Sequence, residues 1–93
     1  MMNVKVRFFA RFRELLGTDI GVEPQNGTVL AVLVAEVARK NPEGFDAIFD
    51  ENGTFRDFVI VMRNGKRVET ADAATIPVAD GDEIAVFPPV AGG

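Results

Sequence analysis

One amphipathic helix with strand-like segments on both sides is the feature that most constrains how this chain can fold. Apolar residues recur there at positions i, i+3, i+4, i+7 and i+8, which places them on one face of a helix; they are Leu30, Leu33, Val34, Val37 and Ala38. Thr28 is predicted to cap the start of this helix. Arg39 and Lys40 are predicted to lie in its last turn, where cations complement the helix dipole. The pair Asn41-Pro42 is predicted to end it.

The segments around this helix have the patterns of strands and turns. Val4, Val6 and Phe8 alternate with charged residues, which indicates a half-buried first strand. Asn64-Gly65 is a strong hairpin signal because both residues tolerate a positive φ, and Asp80-Gly81-Asp82 predicts a second tight turn. Further strands are predicted at residues 20–22, 58–62, 66–68 and 83–87, and short helical segments at 9–16 and 45–49.

The order of these elements predicts an α+β roll of the β-grasp (ubiquitin-like) type. Two antiparallel strand pairs precede and follow the main helix, and the last strand is expected to lie in the centre of the sheet, parallel to the first. The sheet is predicted to be mixed and to have four or five strands. At 93 residues the chain is long enough for one domain. We assign this domain to residues 1–87 and an extended C-terminal tail to residues 88–93.

The tail combines a strand, two prolines and a final glycine pair. Pro88 and Pro89 lack a backbone N–H and hold φ near −65°, so they end sheet pairing and favour a stiff, extended path. Gly92 and Gly93 have no Cβ and can pass through a channel too narrow for other residues. Small residues are common at disordered termini, but the strand and the diproline in front of this pair favour a functional role.

An ionised terminal carboxylate at Gly93 has the chemistry for one specific reaction. The carboxylate can attack the α-phosphate of ATP to give an acyl adenylate, and a sulfur or nitrogen nucleophile can then displace AMP. The tail would need only access and charge to take part. The chemistry itself would belong to another protein, because this chain has no cysteine and no histidine, which removes a thiol nucleophile and the commonest general base.

Composition excludes several other classes of protein. The net charge is −4 and argues against nucleic-acid binding as the main activity. No apolar run has the length of a membrane span, and the start of the chain lacks a signal-peptide pattern. We therefore expect a cytoplasmic protein without membrane association.

The chain resembles the MoaD- and ThiS-type sulfur carriers of molybdopterin and thiamin biosynthesis, including the related archaeal ubiquitin-like small modifiers. The residues that carry this resemblance are Phe8-Phe9-Ala10-Arg11, Asn64-Gly65 and the final block from Asp80 through Phe87 to Pro88-Pro89-Val90-Ala91-Gly92-Gly93. The resemblance covers essentially the whole chain.

The resemblance implies a protein carrier rather than an enzyme. An E1-like enzyme would adenylate Gly93, consuming ATP, and a sulfur donor would convert the adenylate to a thiocarboxylate. The sulfur would pass to a molybdopterin precursor in complex with the large subunit of a molybdopterin synthase, or to another acceptor; alternatively, Gly93 would form isopeptide bonds with lysines of target proteins. The chain is expected to bind no cofactor or metal and to be a monomer when free.

Phe9, Phe87 and Arg11 are the candidate docking residues. Phe8 and Phe9 point to opposite faces of a strand, so they cannot both enter one core, and an exposed aromatic cluster near the tail would suit a partner interface. A nearby loop or helix that covers these rings is an equally good interpretation. Val90 is a further candidate contact, and the arginines at positions 11, 13, 63 and 67 could steer an acidic partner, although solvated side chains are the simpler interpretation for each.

Two further candidates and one rival function stay open. Asp80 and Asp82 could hold a metal, but two carboxylates around one glycine more often form only a turn. Lys5, Lys40 and Lys66 could accept isopeptide bonds if the protein modifies itself. The rival function is a ubiquitin-like binding module that uses its sheet surface and has an inert tail.

Overall fold

The computed structural model describes residues 2–88. Of the predicted tail only Pro88 lies within these residues, so the division into a domain and a tail stays a prediction. Its elements, in chain order, are β1 (Val4–Phe8), α1 (Ala10–Leu16), β2 (Asp19–Val22), α2 (Leu30–Ala38), α3 (Pro42–Ile48), β3 (Ile60–Arg63), β4 (Lys66–Val68), α4 (Thr70–Ala73) and β5 (Glu83–Phe87). Within residues 2–88 no helix is both long and apolar enough to span a membrane.

The five strands form one mixed sheet in the order β2-β1-β5-β3-β4. β5 lies in the centre; it runs parallel to β1, with Val6 opposite Ile84, and antiparallel to β3, with Val61 opposite Val86. β2 and β4 are the edge strands and pair antiparallel with β1 and β3. This arrangement confirms the predicted β-grasp fold, and of the two predicted strand numbers the larger is correct.

One face of the sheet packs against α2 and forms the core. Alternate residues of β1 are buried, as the period-two pattern predicted, and alternate residues of β5 are buried as well. All five members of the predicted apolar stripe on α2 are at most 3% exposed. α1 and α3 close the side of the core through Phe12 and Ile48, while Phe49 stacks on Phe55 with 4.7 Å between ring centroids. The opposite face of the sheet, which we call the outer face, is not covered by α2.

The predicted cap of α2 by Thr28 is wrong. The helix begins one residue later than expected, with Val29 as its N-cap, and the Thr28 hydroxyl donates to the Gln25 carbonyl instead. The loop before β5 satisfies this helix end: the Leu30 N–H donates to the Ile76 carbonyl at 2.8 Å, and the Val78 N–H donates to the Thr28 carbonyl at 2.9 Å. A distant segment therefore replaces the local cap.

Three other local predictions need correction. α2 ends at Ala38, so Arg39 is its C-cap residue and Lys40 lies beyond it. Pro42 does follow the end of α2, but it also opens α3, where Asn41 caps the helix by accepting the Glu43 N–H at 3.1 Å. β3 begins at Ile60 rather than at residue 58, because Phe58 has a φ of 71° and cannot continue a strand. The helical turn α4 was not predicted.

The predicted hairpin turn is confirmed. Asn64 and Gly65 have φ values of 51° and 83°, as the two-residue turn between twisted strands requires. The turn places the Asn64 side chain over the start of β5.

Candidate functional site

The end of β5 carries two stacked aromatic rings. Phe9 follows β1 directly and donates its N–H to the Val86 carbonyl at 3.2 Å. Its ring lies 4.3 Å from that of Phe87, with an angle of 10° between the planes. Phe9, Phe87 and Pro88 are all half-buried. The rings thus flank the point at which the chain leaves the central strand, and both are partly exposed.

These rings belong to an apolar surface on the outer face of the sheet. Ile60 pairs with Phe87 and Met62 pairs with Ala85, so these four side chains share one face. All four are half-buried. We call this surface the outer patch and define it as Phe9, Ile60, Met62, Ala85 and Phe87. An apolar patch beside a strand end is typical of a surface that binds a partner.

Arginines border the outer patch. The Arg7 Nε lies 2.9 Å from an Asp19 carboxylate oxygen, and its Nη1 lies 3.1 Å from a Glu83 oxygen. The hydrogen bond to Glu83, followed by that to Asp19, raises the pKa of Arg7 above its ordinary value. The Arg7 guanidinium carbon is also 5.4 Å from the centroid of the Phe9 ring. Arg7 therefore connects the patch to its charged rim.

Two other cations lie near this surface. Arg67 is opposite Met62 in the β3–β4 ladder, so it extends the row of the outer patch toward the sheet edge. Arg11 lies on the first turn of α1, two residues after Phe9, and is exposed. The structure thus places all three predicted docking residues at or next to the same end of the sheet.

The opposite end of β5 is a closed polar network. Asp82 accepts hydrogen bonds from the Asn64 side-chain amide at 2.9 Å and from the Ala79 N–H at 2.8 Å, and Arg63 Nε lies 3.0 Å from it. Burial alone would raise the pKa of Asp82, but the hydrogen bonds and the charge of Arg63 outweigh it and lower the pKa below its ordinary value. In the described part of the chain, no buried side-chain nitrogen or oxygen lacks a hydrogen-bond partner.

The carboxylates of Asp80 and Asp82, in the acidic turn before β5, both accept hydrogen bonds from the protein. The Asp80 carboxylate accepts the Asn3 N–H at 2.7 Å, and Asp82 is held by its three partners. Both carboxylates are therefore used to fasten the turn, as the simpler prediction had it. Lys5, Lys40 and Lys66 are exposed, which is compatible with isopeptide formation and equally with solvated side chains.

One exposed aromatic residue was not predicted from the sequence. Residues 58–62 were predicted to form a strand, yet Phe58 is 79% exposed. Its only sequence signal is the preceding turn-forming Asp57. Pro89, Val90, Ala91, Gly92 and Gly93 lie outside the described residues, so their predicted roles stay predictions.

The fold and this surface define a ubiquitin-like β-grasp protein with an apolar patch beside the exit of its C-terminal segment. A family model described as the ThiS family matches residues 6–93, and the chain belongs to this family.

Named relatives support the same class. Small archaeal modifier protein 3 of Haloferax volcanii is 36% identical over 99% of this chain and all of that protein. The molybdopterin synthase sulfur carrier subunit of Escherichia coli is 33% identical over 97% of this chain and 99% of that protein. The crystal structure of small archaeal modifier protein 1 from Haloferax volcanii superposes with a TM-score of 0.83 at 26% identity, covering 98% of this chain and 99% of that one.

These relatives are carriers and modifiers, which confirms the predicted family and the predicted class of protein, a carrier or modifier rather than an enzyme. One relative is a subunit of molybdopterin synthase, so the partners predicted for this chain have a parallel among its relatives.

Proposed function

We propose that this protein is a ubiquitin-like carrier whose Gly93 carboxylate is adenylated by an E1-like enzyme. The observation that carries the proposal is the position of Phe87. It ends the central strand, stacks on Phe9 and continues directly into Pro88. The segment that bears the glycine pair is therefore anchored to the most constrained strand of the sheet, beside an apolar patch. The family match extends through Gly93, which supports its role as the reacting residue.

The proposed chemistry proceeds in two displacements. A carboxylate oxygen of Gly93 bonds to the α-phosphorus of ATP, and pyrophosphate leaves. A sulfur donor at the oxidation level of sulfide then attacks the carbonyl carbon, and AMP leaves with the oxygen. The product is a thiocarboxylate. ATP is consumed by the partner, this chain binds no cofactor of its own, and the site of action is the cytoplasm.

The residues near the tail would have different roles in presenting the Gly93 carboxylate to the adenylating enzyme. Phe9 and Phe87 provide apolar contact area, and Arg11 an exposed positive charge for an acidic partner surface. Pro88 and Pro89 would direct the segment away from the sheet, Val90 would contact the partner, Ala91 continues the small-residue run, and Gly92 would keep the path narrow.

Two fates of the activated glycine are supported by relatives of different kinds. The Escherichia coli relative is a sulfur carrier subunit of molybdopterin synthase, and the Haloferax relative is a modifier protein. In the first fate the thiocarboxylate would enter the large subunit of a molybdopterin synthase. In the second, a lysine amine of a target protein would displace AMP and form an isopeptide bond. The two fates share the adenylation step and differ only in the nucleophile.

Adenylation is tested by pyrophosphate exchange with the E1-like enzyme of the same organism, ATP and two altered chains. One chain lacks Gly92 and Gly93; the other carries one alanine after Gly93. Both still end in a carboxylate, but the second displaces it by about 3.3–3.6 Å. We expect exchange only with the unaltered chain and equal thermal stability for all three. No exchange with the unaltered chain, together with full partner function of the deleted chain, would support the rival, a binding module with an inert tail.

A further inference from the structure

Phe58 combines two features that are each unfavourable for an isolated domain. It is 79% exposed, which makes it the most exposed large hydrophobic residue in the described part of the chain. Its φ of 71° lies in the left-handed region, where a bulky side chain is strained. Of the other residues with positive φ outside glycine, Asn64 is of a type that tolerates this region and Ala10 has only a methyl side chain. Such strain at an exposed aromatic residue points to a function.

The exposure of Phe58 is fixed by its neighbours. The Arg56 N–H donates to the Ile48 carbonyl at 2.8 Å, and the Val59 N–H donates to the Arg56 carbonyl at 3.2 Å. Phe55 and Val59 are 6% and 4% exposed. The turn that bears Phe58 is thus fastened to the body on both sides, so the ring cannot turn inward without breaking core contacts.

Phe58 also lies at the end of the sheet from which the tail departs. Ile60 is opposite Phe87 in an antiparallel pair, so the turn that bears Phe58, two residues before Ile60, lies at the C-terminal end of β5. Six residues follow Phe87, and fully extended they reach about 20 Å. An enzyme that encloses the Gly93 carboxylate must therefore approach this end of the sheet closely.

We propose that Phe58 is an anchor for the adenylating enzyme, inserting its ring into an apolar pocket beside the channel that receives the tail. The proposal rests on the proposed function and adds a contact outside the outer patch. Burial of this ring in the complex would remove from water the most exposed large hydrophobic side chain of residues 2–88, which favours binding. The fixed turn means that little freedom is lost when it binds.

The test compares Phe58→Asn with Val32→Thr. Asn removes the ring and tolerates a positive φ, so the fold should be preserved. Val32 is the other exposed large hydrophobic in the described part of the chain, at 47%, and lies on α2 away from the outer face, so its variant controls for loss of exposed apolar surface. We expect Phe58→Asn to raise the KM for the carrier in pyrophosphate exchange about ten-fold or more, with kcat unchanged and an equal or higher Tm. Val32→Thr should leave KM within two-fold.

Each other result overturns the proposal. An unchanged KM for Phe58→Asn would show that Phe58 is not an anchor, while the proposed adenylation of Gly93 would stand. Absence of exchange with the unaltered chain would contradict the proposed function and, with it, the proposed role of Phe58. An unchanged KM together with weaker binding to the synthase large subunit, or with loss of self-association in sedimentation, assigns Phe58 to that other partner or to a second copy.

Discussion

At its N-terminal end, β5 begins beside Asp82, which is 5% exposed and bound by Arg63, Asn64 and the Ala79 N–H. At its C-terminal end the same strand finishes at Phe87, whose half-buried ring lies on that of Phe9, with the strained and exposed Phe58 nearby. At the first end, every buried side-chain nitrogen or oxygen that the structure describes has a hydrogen-bond partner. The second end has a partly exposed apolar surface at Phe9 and Phe87 and a strained backbone at Phe58, and neither the exposure nor the strain stabilises the isolated domain.

The difference indicates that the two ends of β5 have different roles: the N-terminal end stabilises the fold, and the C-terminal end presents the tail to a partner. Because β5 is the central strand, fixing its start also fixes the direction in which its end points. The polar network therefore fixes the start of β5 with side chains that are not part of the outer patch. The following predictions test this division between the two ends.

The largest effect on stability is expected for Asp82→Ala. This change leaves the Asn64 amide, the Ala79 N–H and Arg63 without their shared acceptor, and loss of one member of a buried pair is strongly destabilising. We expect the free energy of unfolding to fall by about 3 kcal/mol in chemical denaturation. Asp80→Ala is the matched control; its exposed carboxylate holds a single backbone N–H, so a loss under about 1 kcal/mol is expected. Equal losses would contradict the special role of Asp82.

Phe87→Ala should produce the opposite profile. The ring is half-buried and stacked on Phe9, so its removal should cost about 1 kcal/mol of stability. Affinity for the adenylating enzyme, measured by titration calorimetry, should fall ten-fold or more because an aromatic anchor is lost. Phe9→Ala should behave in the same way. A collapse of Tm with no separate binding defect would place these rings in the core rather than in an interface.

Acidification should weaken the Asp82 end selectively. The folded-state pKa of Asp82 is lowered below its ordinary value of 3.8, so the stability that it contributes is fully present above that value and is lost as the pH falls through the lower, folded-state pKa. Thermal unfolding between pH 7 and pH 2 should show this loss in the unaltered chain. Asp82→Asn should start lower and show a shallower decline, and parallel curves for the two chains would argue against this assignment.

Gly65→Ala should lower stability modestly and should not affect partner binding. A φ of 83° strains any residue with a Cβ, so we expect a loss of about 1 kcal/mol in unfolding experiments, with binding to the adenylating enzyme unchanged. Gly21→Ala is the control, because an added Cβ there meets nothing within 4 Å and no positive φ is required. If Gly21→Ala proved equally destabilising, the cost could not be assigned to the hairpin turn.

Periodicity was sufficient for the fold because its main elements are amphipathic. The stripe on α2 and the alternation in β1 depend only on residue spacing. The errors arose where a distant segment determines local structure. Ile76, 46 residues beyond Leu30, satisfies the start of α2, and no pattern around Thr28 could indicate this.

The candidate site was predictable in part. The opposite directions of Phe8 and Phe9 predicted that they do not both enter the core, but whether a nearby segment covers Phe9 and Phe87 was left open. The exposure of Phe58 could not be predicted. A run of apolar residues from 58 to 62 suggests a buried strand and does not indicate that Phe58 has a positive φ. The charged network around Asp82 was also missed, since it joins two turns that are distant in sequence.

The most direct test of the central claim is the intact mass of the protein after incubation with ATP, a sulfur donor and extract of its own cells. If Gly93 is activated, the mass should increase by the exchange of one carboxylate oxygen for sulfur, or conjugates linked through Gly93 should form. Neither should be seen with the chain that lacks Gly92 and Gly93. An unchanged mass, in an extract that does convert an established carrier, would contradict the central claim.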